Sequence, residues 1–332
     1  MKRFGWLLIP WLLFGAVVAG WLIYWNVVAG TAEARINTWI AQQNAGGAQI
    51  SIQHITRHGF PVLMRLEIDG ISYKPARGGW ELQTSRADLN IEMLNTEHII
   101  LQPRSPISIT HGGAVTNVTA RVLLLSVRTQ AGKLAVAGVE SDDLTLDDPA
   151  QPGVLTIKKM VANVQHDPRA AGDFMLAFDA SGVHLPRPVR SFESFGLDMP
   201  AVHARIVVKQ GAALLQSAQG DPLGPWRDAG GKLVFDGLGL QWGPLTTTGT
   251  GEGGLDEQRR LSGRLVLPIE HPASVLTALA DSPVVDQSAR QAMQMLAASY
   301  VVNGHALTLD VGAQDGVLTL EGLRVRTLPP VY

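Results

Sequence analysis

The hydrophobic pattern of the chain changes period twice. Residues 4–32 contain no charged side chain, and most positions are Leu, Ile, Val, Ala, Phe or Trp. As a helix the stretch 4–28 rises about 37 Å, enough to cross a hydrocarbon layer of about 30 Å with some tilt. In 32–44 the apolar residues keep helical spacing: Ile36, Trp39 and Ile40 form one stripe, with Arg35, Gln42 and Gln43 off it. Gly46-Gly47 predicts the end of that helix. The period then falls to two, with Ile50, Ile52 and His54 alternating with Gln49, Ser51 and Gln53.

Most of the remaining chain has the pattern of strands, over 63–68, 80–90, 99–102, 107–110, 119–128, 133–139, 144–146, 154–164, 174–178, 201–208, 232–242, 261–267, 306–311 and 317–325. Turn pairs such as Asp69-Gly70, Gly112-Gly113, Gly230-Gly231 and Asp315-Gly316 separate many of the runs. Links this short favour antiparallel meanders, because parallel strands need long crossovers. One pattern recurs. Leu66-x-Ile68-x-Gly70-Ile71, Leu134-x-Val136-x-Gly138-Val139, Leu233-x-Phe235-x-Gly237-Leu238-x-Leu240-x-Trp242 and Leu318-x-Leu320-x-Gly322-Leu323 each switch apolar parity at the glycine. A glycine bulge would absorb one residue and keep those side chains on one face; a hairpin turn at the glycine is the other reading. On the bulge reading, Gly237→Val mispairs its strand and destabilises the fold.

A helical insertion at 272–300 interrupts the late strands. Pro272 leads into Val275, Leu276 and Leu279, and Met293, Leu296, Ala297 and Tyr300 come next at helical spacing. Such a stripe packs a core or covers a groove. The fold class is therefore mainly β: an N-terminal transmembrane helix, then an elongated, curved antiparallel sheet, groove or sandwich, with a short helical insertion near the C-terminus. The expected organisation is a signal-anchor at 1–30, an amphipathic linker helix at 31–47 and a β-rich domain at 48–332. The Gly/Pro-rich stretch 219–231 is a candidate subdomain break.

Composition narrows function by exclusion. The chain has 332 residues, 27 Lys+Arg against 29 Asp+Glu, and a formal net charge of −2, so it carries no basic nucleic-acid footprint. Charged residues are only 17% of the chain and apolar residues 46%, which argues against disorder. With no Cys, disulfides, thiolate chemistry and Cys-type metal sites are ruled out. Lys2 and Arg3 precede the apolar run, which predicts a cytoplasmic N-terminus. Trp6, Trp11, Trp21 and Trp25 sit near the two ends of the run, as interfacial anchors do. The length of the run favours a retained anchor over a cleaved leader.

Candidate chemistry is sparse. His54 and His58 lack a third ligand in register and read as a structural or solvated pair rather than zinc ligands. Gly249-x-Gly251-x-x-Gly254 has dinucleotide-loop spacing, but the polar run 255–260 comes after it in place of a helix, so it reads as a hairpin. Asp142, Asp143, Asp147 and Asp148 lack the order of a calcium loop and read as a solvated turn. No nucleophile elbow or phosphate loop occurs. No catalytic, cofactor or metal residue is assigned, and the chain is not read as an enzyme.

Several stretches carry a family resemblance: the Trp39 helix after the anchor, His58-Gly59-Phe60-Pro61 leading into Leu66-x-Ile68, Leu240-x-Trp242-Gly243-Pro244-Leu245, and Gly316-Val317-Leu318-x-Leu320 before Leu328-Pro329-Pro330. Together they resemble the bacterial family called domain of unknown function 2125, across nearly the whole chain. That resemblance brings no activity and no catalytic residues. The general layout is also similar, more distantly, to AsmA-like envelope proteins, which implies phospholipid handling in envelope homeostasis. The resulting expectation is a single-pass inner-membrane protein with its bulk in the periplasm. Its anchor, 4–28, contacts the bilayer, and lipid passes along an apolar β groove. Candidate groove residues are Leu66, Ile68, Leu233, Phe235, Leu318 and Leu320. The alternative is an envelope scaffold with a filled β core that docks other envelope proteins and binds no ligand.

Overall fold

The computed structural model describes residues 9–332 apart from 94, 191, 217–220, 284 and 304–306. Lys2, Arg3 and Trp6 of the expected cytoplasmic end lie outside the described residues. Helix α1 (Ile9–Ala45) runs unbroken where the sequence divides into an anchor and a linker helix. The surface changes from apolar to mixed near residue 31, but nothing there removes a backbone bond, and Thr31 Oγ1 donates back to Val27 O at 2.8 Å. The helix ends at the expected glycines: Gly47 has φ +94°, and the Ala48 N–H reaches Gln43 O.

The chain divides into two compact units. The first comprises Met1–Thr119, Leu123–Lys133 and Asp148–Ala150. Its strands are β1 (Gln49–Ser51), β2 (His54–His58), β3 (Leu63–Lys74), β4 (Trp80–Glu92), β5 (Asn95–Pro103), β6 (Ile107–His111), β7 (Ala114–Thr119) and β8 (Val122–Gln130). β1 and β2 lie end to end along β3, with Ile50 opposite Tyr73 and His54 opposite Asp69. On its other side β3 pairs with β4, which carries β6 on its first half and β5 on its second. Alternate residues Met64, Leu66 and Ile68 of β3 are buried with Ile91 and Met93 against Trp25 and Ala29 of α1.

The second unit comprises Ala120–Val122, Leu134–Asp147 and Gln151–Tyr332. It contains β9 (Lys133–Asp147), β10 (Val154–His166), β11 (Phe174–His184), β12 (Asp198–Lys209), β13 (Lys232–Trp242), β14 (Leu245–Leu255), β15 (Leu261–Ile269), β16 (Leu307–Gln314), β17 (Val317–Leu320) and β18 (Leu323–Thr327). From β9 to β18 every strand pairs antiparallel with the next. Helices α2 (Gly224–Asp228), α3 (Pro272–Ala280) and α4 (Gln287–Asn303) complete it. α3 and α4 form the expected insertion and cover one face of the sheet: Val275, Leu276 and Met293 bury against Ile269, Leu309 and Leu320.

Of the stretch 219–231, residues 219 and 220 lie outside the described residues, and 221–231 lie inside this second unit rather than at a boundary. Its glycines serve a short helix, not a linker. Trp226 of α2 is buried and donates from Nε1 to Lys209 O at 2.8 Å, and Gly231 passes directly beneath the indole.

The four recurrent glycines do four different things. At Gly237 there is a bulge: Phe235 faces Gly251 and Leu238 faces Gly249, so Asp236 and Gly237 together oppose one residue of β14. Glu321-Gly322, both at positive φ, form a two-residue hairpin turn between β17 and β18. Gly70 stays inside β3 at φ +63° with the register kept on either side. Gly138 sits in an unbroken ladder opposite Asn163. The pairs Gly112-Gly113 and Asp315-Gly316 make the expected two-residue turns.

The hairpin read at 249–254 is instead the interior of β14. Thr and Gly content concealed it, and the reason for the glycines is close approach. A Cβ at Gly251 would lie 2.2 Å from Arg264 O and 2.8 Å from Leu265 Cα on β15. At Gly237 a Cβ meets nothing within 4 Å, so the sensitivity expected there moves to β14. Gly251→Ala is expected to cost about 1–3 kcal/mol through forced strand separation, whereas Gly237→Ala stays within about 0.5 kcal/mol. Thermal unfolding of the two variants measures the difference, and equal melting points would contradict it.

Candidate functional site

The parity switch at Gly237 has a spatial consequence. Leu233 and Phe235 before the bulge, and Leu240 and Trp242 after it, all line apolar cavities of the second unit. On an unbulged strand the second pair would face away from the first. Leu265, Leu267 and Ile269 of β15, Leu309 and Val311 of β16, and Leu318 and Leu320 of β17 contribute alternate positions to the same walls.

Two cavities result. The first, about 280 Å³, lies between the sheet and the helical cover, where Val275, Leu279, Val285 and Met293 approach Leu309, Leu320 and Val325. Phe192, Phe195 and Trp242 close one end with ring centroids 5.1–5.6 Å apart, and the Trp242 indole donates to Gly196 O at 3.1 Å. Ser282 and Thr319 supply the polar side chains of this lining. The second cavity, about 370 Å³, runs along β13 to β17 between Leu223, Trp226, Leu233, Phe235, Leu265 and Val331. Val311 and Leu318 line both, so the two adjoin through a shared wall. Sizes and linings of this kind suit apolar ligands.

Charge is held at the edge of the second cavity. Lys232 pairs with Glu252 at 3.1 Å, and Arg264 is bound to Asp310. At the Val331 end, the Tyr332 hydroxyl donates to Asp221, the Arg259 guanidinium lies 5.4 Å from the Tyr332 ring centroid, and the Val331 N–H reaches Arg259 O. The hydrogen bond from Tyr332 and the nearby Arg227 and Arg259 charges hold the Asp221 carboxyl below its usual range.

Of the six candidate groove residues, four lie in this site: Leu233 and Phe235 in the second cavity, Leu318 in both, Leu320 in the first. Leu66 and Ile68 do not. They are 0% and 5% exposed in the core of the first unit, where α1 packs on β3, so no groove reaches them. The hydrophobic period shows no sign of Trp226, Phe192 and Phe195, which lie in or beside helical turns too short to carry one.

The other candidate clusters are accounted for by local pairing. Asp142 and Asp143 clamp Arg121 at 2.6 and 3.0 Å. Asp148 accepts the Ala150 N–H. His54 and His58 are exposed at the two ends of β2. Among the described residues no three His, Asp or Glu side chains gather as a metal site.

The fold and site define a class: a β-meander protein with one helix long and apolar enough to cross a membrane and an apolar cavity under a helical cover. The chain belongs to the family of uncharacterized proteins conserved in bacteria, domain of unknown function 2125, whose model matches residues 25–329. No curated protein and no solved structure matches it, and the expected likeness to AsmA-like envelope proteins is not shown.

The cavity wall at Trp226 depends on an acid-sensitive tie. Asp173, at the β10–β11 turn, accepts from Lys209 Nζ at 2.9 Å and from the Gln210 N–H at 2.8 Å, next to the carbonyl that holds Trp226. The Lys209 and Gln210 hydrogen bonds lower the Asp173 carboxyl below its usual value. A lowered folded value stabilises fully above the unfolded value of about 3.9 and is lost as pH falls through the folded one. The expected outcome is a melting temperature that drops on acidification below about pH 4. Asp173→Asn should melt several degrees lower at neutral pH with a flatter acid dependence, and a parallel acid profile for parent and variant would refute the assignment.

Proposed function

We propose that this is a single-pass inner-membrane protein with a cytoplasmic N-terminus and a periplasmic bulk, and that its second unit binds phospholipid acyl chains and passes them on without chemical change. The observation that carries the reading is the pair of adjoining cavities that share Val311 and Leu318 in their walls and are lined along one apolar sheet face. The anchor supports it: α1 presents Leu13, Phe14, Val17 and Ile23 largely exposed, a surface that suits lipid. Lys2 and Arg3 ahead of the apolar run favour a cytoplasmic N-terminus.

The energetics assign the cavities a specific role. An acyl chain moving from a bilayer into the cavities exchanges one apolar surrounding for another, so neither state wins by much. What the cavities remove is the cost of about 0.8 kcal/mol for each methylene otherwise exposed to water on the way. The polar edge formed by Lys232, Glu252, Arg264 and Asp310 would stay with the headgroup and water.

The test uses the full chain in phospholipid vesicles containing a lipid with a photoactivatable group in its acyl chain. The expected products include adducts on peptides carrying Leu240, Met293 or Leu318, beside those on α1. Leu318→Trp, which fills the wall common to both cavities, should reduce the second-unit adducts several-fold while adducts on α1 persist. Adducts confined to α1 would reject lipid binding here and favour the envelope scaffold that docks protein partners.

A further inference from the structure

The first unit holds α1 at a defined height. Trp21 Nε1 donates to Pro61 O at 2.7 Å, the Tyr24 hydroxyl to Met93 O at 3.0 Å, and the Trp25 ring meets Phe60 edge-on at 6.0 Å. Farther along, Arg57 grips Glu33 through two bonds of 2.6 Å. These contacts fix both the rotation of the helix and its position along the axis. They also turn one side of the helix from lipid: Trp21 packs on the β unit and Trp25 is only 7% exposed.

The exposed apolar face of α1 runs on past Trp21, through Ile23 at 66% and Val27 at 60%. The β unit presents apolar surface at just that level. The turn from Gly59 to Val62 lies against Trp21 and Trp25 and points its side chains outward: Val62 is 76% exposed and Phe60 45%. Apolar residues exposed to this degree on neighbouring loop positions continue the exposed face of α1 at Leu22 and Ile23. Ring-bearing and aliphatic side chains beside Trp and Tyr match the boundary between headgroups and acyl chains.

We infer that the bilayer surface meets this protein at residues 21–24 of α1 and that the 59–62 turn is embedded in the interface, with Phe60 and Val62 among the upper acyl segments. The occupant of this surface is the lipid of the leaflet through which α1 leaves the membrane. The turn seats the β unit directly on the bilayer. The inference rests on the reading of α1 as a membrane anchor.

Because the chain has no Cys, single labelling sites can be introduced cleanly. Three variants of the full chain, Leu13→Cys, Val62→Cys and Val115→Cys, would carry an environment-sensitive fluorophore. They would be reconstituted into phosphatidylcholine–phosphatidylglycerol vesicles containing lipid with a nitroxide near the top of its acyl chain. Val115 comes after the Gly112-Gly113 turn, at the opposite end of β4, about 40 Å from the 59–62 turn at strand rise. Expected are a blue shift and strong quenching at positions 13 and 62, and neither at 115. Quenching at 13 with position 62 indistinguishable from 115 would overturn the embedded turn and leave the anchor intact. Absence of quenching at 13 would overturn both.

Discussion

A sheet with one apolar face must hide that face, and this chain has very little helix with which to do so. In the second unit α3 and α4 reach the face at β15 to β18, and α2 brings Trp226 to it near β13. The sheet has to supply the rest by keeping its apolar side chains on one side through a change of parity, which the Asp236-Gly237 bulge accomplishes. The cavities stem from that shortage. A second sheet could pack at about 10 Å and fill the space with interdigitated side chains. Two short helices crossing a sheet leave gaps along its length.

The first unit answers the same demand differently. Its apolar residues Met64, Leu66 and Ile68 are covered by α1, the helix that also has the composition of a membrane span. The apolar stretch and the core element are one piece of secondary structure, so Trp25 and Ala29 belong to the folded unit as much as to that stretch. A chain beginning after residue 30 would lack both and leave Leu66 without its cover.

This difference marks how far the sequence could be read. Leu66-x-Ile68-x-Gly70 and Leu233-x-Phe235-x-Gly237 are the same local pattern, and period identifies an inward face equally in both. Whether that face is packed or lined depends on which distant helix arrives, which local spacing does not encode. The helical insertion was legible because its stripe is regular, as were the tight turns at Gly112-Gly113 and Asp315-Gly316, where two consecutive residues must take positive φ. β14 was not legible: Thr246-Thr-Thr-Gly-Thr-Gly has no apolar alternation to mark a buried face, and its glycines answer to the backbone of β15 at close range. The acidic pair Asp142-Asp143 looked like a solvated turn because its counter-ion, Arg121, is some twenty residues away in sequence.

The order of the strands bears on how such a chain assembles. From β9 to β18 each strand needs only its predecessor as a template, so pairing can extend one hairpin at a time as the polypeptide emerges from its N-terminal end. Loop-closure entropy stays small at most additions, the exceptions being the connection that carries α2 between β12 and β13 and the α3–α4 insertion between β15 and β16. At every stage the newest strand leaves an open edge, and only the next strand closes it. A chain built this way is most exposed to mispairing when synthesis or transit pauses between neighbouring strands, and least when it moves at a steady pace.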